Sequence, residues 1–244
     1  MDETRAKKII DYTFRDVFGK ENPFTMGEFR KRFAYDIDLP KKAKDVMTGS
    51  DAWIVSKKRD RIISSATAFE KSKNNSWMLP SGRIESMSDI RKFWERIYYN
   101  IADRTLGSKD VSESDLTYDS SNIYGSYRTF QSQDIVFSHS TAHSRYVVAS
   151  YDNAGCTSGI RMFYGTFCSS SFAVDWSKKV SKCMFVSGCV DLHECLFCSN
   201  IESKSYCVAN MQFTKDKYLK IKDMVVEWVL ENFGTDGGKD ILSM

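Results

Sequence analysis

The residues with most chemistry to offer are seven cysteines, at 156, 168, 183, 189, 195, 198 and 207, and three histidines, His139, His143 and His193. Thiolate and imidazole are zinc ligands, and Cys195-Leu196-Phe197-Cys198 with Cys183, Cys189, Cys207 and His193 nearby poses the question of a metal site. Structural zinc sites use two closely spaced pairs, and this chain has one. The expectation is therefore no metal and no cofactor, with cysteine acting as a small buried hydrophobe. A second outcome stays open: Cys183, Cys195 and Cys207 recur at equal spacing and could oxidise if stacked. For nucleophilic catalysis the histidines have many serines and aspartates around them, but no Gly-x-Ser-x-Gly frame sets a nucleophile against a base, so no catalytic residue is expected. Gly234-Thr235-Asp236-Gly237-Gly238-Lys239-Asp240 lacks phosphate-loop spacing and reads as a tail. Arg30-Lys31-Arg32, Lys41-Lys42-Ala43-Lys44 and Lys57-Lys58-Arg59, with Phe29, Phe33 and Tyr35 interleaved, read as solvated faces, nucleic acid or an acidic partner being the alternative.

The cysteine gaps of 12, 15, 6, 6, 3 and 9 point to the elements that must hold these groups. Every gap is a multiple of three, which random placement gives roughly once in 700, so an inward-facing position recurring every third residue is indicated. Written in twelves from Ser120, the chain forms eight rungs to Lys204. The first column is Ser120, Ser132, Ser144, Cys156, Cys168, Val180, Leu192 and Lys204, and the fourth is Ile123, Ile135, Val147, Gly159, Ser171, Cys183, Cys195 and Cys207. The seventh and tenth columns are also small or apolar, and Lys204 is the one charged residue in all four. That pattern suits a narrow β-solenoid with side-chain ladders inside. In repeat length and phase it resembles the twelve-residue coil of insect antifreeze proteins; the resemblance is geometric, since the threonine ladder that binds ice is missing.

Column five, Tyr124, Val136, Val148, Ile160, Phe172, Met184, Leu196 and Val208, is apolar in every rung. Strand alternation sends it outward when column four points in. It is covered by other parts of the chain, or serves as a docking face for another subunit, or points inward if the phase is shifted.

The chain divides by composition. Residues 1–116 carry 23 basic and 19 acidic groups, 117–213 carry 7 and 7, and 214–244 carry 5 and 6. This predicts an α+β N-terminal domain over 1–116, the solenoid over 117–213, and a C-terminal capping helix and tail over 214–244. Asp2 can cap a helix with Ile10, Phe14, Val17 and Phe18 on one face and Gly19 as its stop. Ala52–Val55 and Arg61–Ala66 read as a hairpin around Lys57-Lys58-Arg59-Asp60. A helix capped by Ser88 puts Ile90, Phe93, Trp94, Ile97, Tyr98 and Ile101 on one face, which should pack on something. A last helix opens at Thr214, carries Tyr218, Ile221, Val225, Trp228 and Val229, and closes near Gly234.

A net charge of +3 from 35 basic and 32 acidic residues is too even for a protein living on phosphate backbones, so nucleic-acid binding is disfavoured. No window approaches the roughly 18 apolar residues of a membrane span. With no apolar leader and an odd number of cysteines, a cytosolic chain with reduced thiols is expected.

The stretch from Cys183 to Tyr218, ending Tyr206-Cys207-Val208-Ala209-Asn210-Met211-Gln212-Phe213-Thr214-Lys215-Asp216-Lys217-Tyr218, resembles the C-terminal part of poorly characterised cysteine-rich proteins of tailed bacteriophages and candidate-phyla bacteria. Their rungs end in a motif similar to Tyr-Cys-Ile-x-Asn-Lys-x-Tyr-Ser-Lys-Glu-Glu-Tyr. This chain departs from it at Met211-Gln212 and Asp216-Lys217, and its early rungs use serine for cysteine. The resemblance implies a non-enzymatic structural protein of a bacteriophage virion, assembled in the host cytoplasm, docking through solenoid and head to other protein subunits or to copies of itself. The alternative is an intracellular phage-encoded binding or regulatory protein contacting nucleic acid or a host protein.

Overall fold

A computed structural model describes residues 1–56, 60–73 and 75–235. The chain forms an N-terminal unit of helices and short strands, a β-solenoid of about nine turns at about twelve residues per turn, and a C-terminal helix.

Every parallel pairing in the solenoid joins residue i to i+12, as in Ile135 with Ile123 and Val147, or Cys198 with Val186. The backbone explains the three-residue period. From Gly107 to Ala209 every third residue lies in the left-handed region, with φ between 43° and 68°. Two extended residues and one left-handed corner repeat along the coil, so each turn has four corners. Only four of these corners are glycine, at 107, 125, 155 and 188. The others carry residues as large as Trp176 and Arg161 at a cost of about 1–2 kcal/mol each, which the repeated ladder must offset. Asp and Asn, which tolerate this region best, hold seven of them: Asp110, Asp119, Asn122, Asp134, Asp152, Asp191 and Asn200.

Inward residues precede the outward pair in each triplet. Ile123, Ile135, Val147, Cys183, Cys195 and Cys207 are buried inside the coil with Met162, Val174, Val180, Val186 and Leu192. The inward serines do more than fill space. Ser126 and Ser138 each donate to the carbonyl two residues back, of Tyr124 and Val136, at 3.0 Å. Each then accepts the N–H twelve residues on, of Ser138 and Ser150, at 3.1 and 3.2 Å. Ser120, Ser132 and Ser144 repeat the device along another column. The hydroxyls thus satisfy backbone groups that the corners leave without a strand partner.

Pairing starts at Thr105 with Thr117, a full turn before Ser120 and inside the segment that composition assigns to the N-terminal unit. Arg104 grips Asp115 through two bonds of 3.0 and 2.6 Å at this end. At the other end Cys207–Val208 folds back antiparallel on Met211–Gln212, capping that edge of the coil.

Around the coil, α1 (Glu3–Phe18) begins with Asp2 accepting from Arg5 N–H and ends at left-handed Gly19, as its sequence predicts. Helix α2 (Met26–Phe33), opened by a Thr25–Glu28 capping box, is not anticipated in the sequence reading. Strands β1 (Lys41–Lys44) and β2 (Asp51–Ile54) pair antiparallel, while β3 (Ile62–Ser64) pairs parallel with β4 (Asn100–Ala102). The expected hairpin between Ala52–Val55 and Arg61–Ala66 is therefore not the pairing formed. Its turn residues Lys57, Lys58 and Arg59 lie outside the described residues, as does the tail from Asp236. Helix α3 (Ser65–Lys73) follows β3, and α4 (Met87–Ile97) is capped by Ser86, two residues before the expected Ser88. Helix α5 (Lys215–Asn232) starts after Thr214. Left-handed Gly234 closes it, and a Cβ there would sit 2.2 Å from the Arg32 carbonyl oxygen, so the approach of α5 to α2 requires glycine.

Candidate interaction surfaces

Column five points outward, as strand alternation predicts, and the chain covers it. Val136, Val148, Ile160, Phe172, Met184 and Leu196 are buried, Tyr124 nearly so, in one cluster with Ile10, Phe14 and Phe18 of α1, Phe29 and Phe33 of α2, and Val229 and Phe233 at the end of α5. Val208 packs at its edge. Phe172 is the centre, with ring centroids 5.1 Å from Phe18, 6.1 Å from Phe33 and 5.0 Å from Phe233. The stripe considered as a docking face is thus occupied by the chain's own helices, the covered alternative of the sequence reading.

The cover is pinned by Arg161, a corner residue only 1% exposed. Its guanidinium donates two bonds to the Asp36 carboxylate, at 2.8 and 2.7 Å, and a third to the Phe33 carbonyl at 2.8 Å. It also lies 4.8 Å from the Tyr35 ring and 5.6 Å from that of Phe233. A buried arginine is tolerated when a bidentate carboxylate neutralises it. Nothing in the local sequence signals this residue, because its partner lies 125 positions away.

All seven cysteines are buried and free. Among the described residues, no group of three or more His, Cys, Asp or Glu side chains is arranged to hold a metal ion. The sulfurs occupy the serine position of the ladder. Cys183, Cys189 and Cys198 donate to the carbonyls of Ser181, Ser187 and Leu196 at 3.2, 3.3 and 3.3 Å. A hydrogen bond with Cys183 holds the Cys195 thiol up at about 12, and burial raises Cys189 and Cys207. At these three sites the raised values and the enclosure keep the proton on sulfur at neutral pH.

The histidines sit on outer faces. His139 meets the Asp38 carbonyl at 3.0 Å through Nδ1 and lies between the rings of Tyr127 and Tyr151, at 4.8 and 5.0 Å. His143 lines an open polar groove of about 540 Å³ with Arg145, Gln131 and Asp119. His193 Nδ1 and Ser181 Oγ share a hydrogen bond of 2.8 Å, with Glu194 3.6 Å from Nε2. The twelve-residue spacing of Ser181 and His193 was the signal for that contact. The three side chains match a hydroxyl–imidazole–carboxylate relay in type, but His193 is 48% exposed on a flat face. The nearby N–H groups of Ser181, Lys182 and Glu194 are bonded to Leu192, Ser169 and Ser181 carbonyls, so none of these three is free to stabilise an oxyanion.

Four residues of the two described basic clusters have partners within the chain. Arg32 donates to the Phe233 carbonyl at 2.8 Å, Arg30 lies over the Phe137 ring, and Lys42 and Lys44 flank Asp51 at 2.7 and 2.6 Å. At the junction with the solenoid, burial lifts the Asp103 carboxyl to about 6, against the hydrogen bond from Trp53 N–H. Burial would also raise Asp45, but bonds from Ser64, Thr67, Met47 and Thr48 outweigh it and hold that group at about 2.

What the chain leaves uncovered is elsewhere. On the solenoid, Tyr164 and Trp176 stack at 4.7 Å on a corner and are exposed with Phe167. On the head, α4 buries no residue: Met87 is 76% exposed, Ile90 45%, Trp94 56% and Tyr98 47%. The sequence reading found this apolar face and expected it to be packed; in the monomer it is open. No helix of the described residues is long and apolar enough to cross a membrane. No family model, curated protein or solved structure matches the chain.

Proposed function

We propose that the chain is a non-enzymatic structural subunit that docks to other protein subunits through its solenoid and head, as a component of a bacteriophage virion assembled in the host cytoplasm. The observation that carries this reading is the contrast between column five, closed by the chain's own helices, and the apolar surfaces left open on α4 and on the Tyr164–Phe167–Trp176 corner. Large exposed apolar patches on a folded chain mark places where another surface belongs. A laddered coil pinned by Arg161 offers such patches at fixed positions, which suits a part of an assembly. The near-balanced charge of +3 and the in-chain partners of Arg30, Arg32, Lys42 and Lys44 lend no support to a nucleic-acid partner.

Mass spectrometry of purified virions from cells that encode the chain is expected to detect it in stoichiometric amount. Its absence from every particle, together with a monomer that binds no particle protein, overturns the reading.

A further inference from the structure

Two of the thiols inside the coil have surroundings unlike the rest. Cys156 and Cys168 occupy one ladder position on successive turns, beside the in-register pair Thr157 and Ser169. Successive turns lie about 4.7–4.9 Å apart, inside the roughly 4.4–6.8 Å between Cα atoms that a disulfide spans. The interior has a gap at this level, because the residue facing both sulfurs is Gly165. A Cβ there would stand 3.0 Å from each sulfur, so the missing side chain leaves them a common space. Both lean away from their ladder acceptors. Cys156 stands 3.7 Å from the Ala154 carbonyl and Cys168 3.8 Å from that of Thr166, where Cys183, Cys189, Cys195 and Cys198 hold theirs at 3.2 to 3.5 Å. Cys207, as far from its carbonyl at 3.9 Å, is turned instead to Gln212 Oε1 at 3.5 Å. Cys168 directs both its S–H and its N–H at the Cys156 sulfur. The S–H bond first, and the N–H bond with it, favour a thiolate at Cys156, while the same S–H bond holds the proton on Cys168.

We propose that Cys156 and Cys168 form a reversible cross-link between turns, closed by a peroxide and opened by thiol reductants. It goes beyond the assembly reading and holds whether or not that reading does. The Cys156 thiolate attacks one oxygen of the peroxide and the O–O bond breaks, leaving a sulfenic acid on Cys156 and releasing water. The Cys168 sulfur then attacks Cys156 Sγ. The S–S bond forms, the S–O bond breaks, and the hydroxyl leaves as water with the Cys168 proton. Two thiols lose two electrons and one hydrogen peroxide becomes two waters. The wall beside the pair is thin enough for so small an oxidant. Between the strands Thr157–Phe163 and Ser169–Asp175 Thr166 is held by isolated bridges to Ala154 and Lys178, Ala154 and Phe167 are exposed, and neither Gly155 nor Gly165 carries a side chain to shield the sulfurs. The column of Cys183, Cys195 and Cys207, whose spacing first raises the question of oxidation, has no glycine opening a space beside its sulfurs.

The test is mass spectrometry of the reduced, folded full chain after exposure to hydrogen peroxide, with free thiols then alkylated in denaturant. The expected result is loss of two hydrogen masses, a linked peptide pair containing Cys156 and Cys168, and alkylation of the other five of the seven cysteines. The oxidised chain should unfold at a higher urea concentration, since the link constrains the unfolded state, and dithiothreitol should return both mass and midpoint. C156S and C168S should each abolish the link, and both should fold, because serine holds the same ladder position at Ser144. C183S should leave the link intact. Thiols that stay reduced in the native chain overturn the proposal, and so do oxygen addition without a link, a link at any other pair, or a link that leaves the midpoint unmoved. Loss of the link in C183S counts the same way. If neither serine variant folds, the mapped peptide pair of the parent chain decides by itself.

Discussion

The two halves of the solenoid interior do the same work with different atoms. From Ser108 to Ser150 the hydrogen-bonding rungs of the ladder are mainly serine, and from Cys156 to Cys207 seven of them are cysteine, with Ser171 and Ser177 keeping the hydroxyl device among them. In the first half the hydroxyls of Ser114, Ser120, Ser126, Ser132, Ser138, Ser144 and Ser150 donate to the carbonyl two residues back at 2.7 to 3.0 Å. In the second, Cys156, Cys168, Cys183, Cys189, Cys195, Cys198 and Cys207 reach the equivalent carbonyls at 3.2 to 3.9 Å. Where the two meet, Cys156 N–H donates to Ser144 Oγ at 3.1 Å, so the column continues through the change of element. The smaller, stronger hydrogen-bonding oxygen suits rungs held by polar contacts. The larger, softer sulfur suits rungs filled by Val174, Val180, Val186 and Leu192, where packing dominates.

The comparison can be broken most severely at Ser138. S138V leaves Ser150 N–H without its acceptor in a fully buried setting, while the Val136 carbonyl keeps the Ala149 N–H at 3.0 Å. It should cost about 2–3 kcal/mol in urea denaturation, since an unmade buried bond carries its full desolvation penalty. The corresponding C195V should cost less than about 1.5 kcal/mol, because a sulfur with weak bonds is being exchanged for carbon of similar size. Equal losses at the two sites would show that the halves are not held differently.

A second substitution exchanges the atoms themselves. C195S keeps a donor aimed at the His193 carbonyl but withdraws apolar volume from its neighbours Cys183, Cys198 and Cys207, and should destabilise by about 1–2 kcal/mol in the same assay. A gain in stability would overturn the view that packing dominates there.

The third separation is by pH. The thiols of Cys189, Cys195 and Cys207 are raised in the folded state, Cys195 to about 12, so native cysteine retains a proton that the unfolded chain gives up first. Stability from this source is complete below the ordinary thiol value of about 8.5 and falls as pH rises above it. Denaturation midpoints should decline between pH 8.5 and 10.5, and replacing Cys195 with alanine should flatten part of the decline. A flat profile in the parent chain would show that the sulfurs are more accessible than their burial implies.

The smallest expected effect is a gain. Thr117, Thr129 and Thr141 point into the serine half, and each has a buried hydroxyl oxygen without a hydrogen-bond partner. T129V replaces that hydroxyl with a methyl of the same shape and should stabilise by up to about 1 kcal/mol by thermal denaturation. Destabilisation would mean the hydroxyl is satisfied, and the serine half wetter than its side chains alone indicate.

Much of this was legible in the sequence because a three-residue period is a local signal. The inward columns, the outward direction of column five, the Asp2 cap and the last helix all follow from residues near one another in the chain. The first turn of the coil was hidden by its outer side. Val111, Ser114 and Thr117 face in, but Lys109, Asp110 and Glu113 beside them read as part of the charged head. The pairing of Asp51–Ile54 with Lys41–Lys44 was hidden for a related reason, since a strand of sequence Lys-Lys-Ala-Lys carries no alternation. Ser86 outcompetes Ser88 as a cap because Asp89, three residues on, exchanges bonds of 3.2 and 2.7 Å with it. The Arg161–Asp36 clamp and the Ser181–His193 contact depend on which turns face which neighbours, and only the second left a trace, its spacing of twelve.

The left-handed corners have a consequence for length. Since almost any residue can occupy them and every turn bonds to the next in the same way, the coil has no internal reason to stop at nine turns. The helices laid along column five act as a gauge for it. Phe18, Phe33 and Phe233 converge on Phe172, and Phe233 also reaches Phe185 of the following rung, so an insertion of twelve residues ahead of Phe172 would leave the ladder intact and still shift every turn beyond it past its mate on the cover. Drift in the number of repeats, to which coils of this kind are open, is checked here by an outer measure cut to one size.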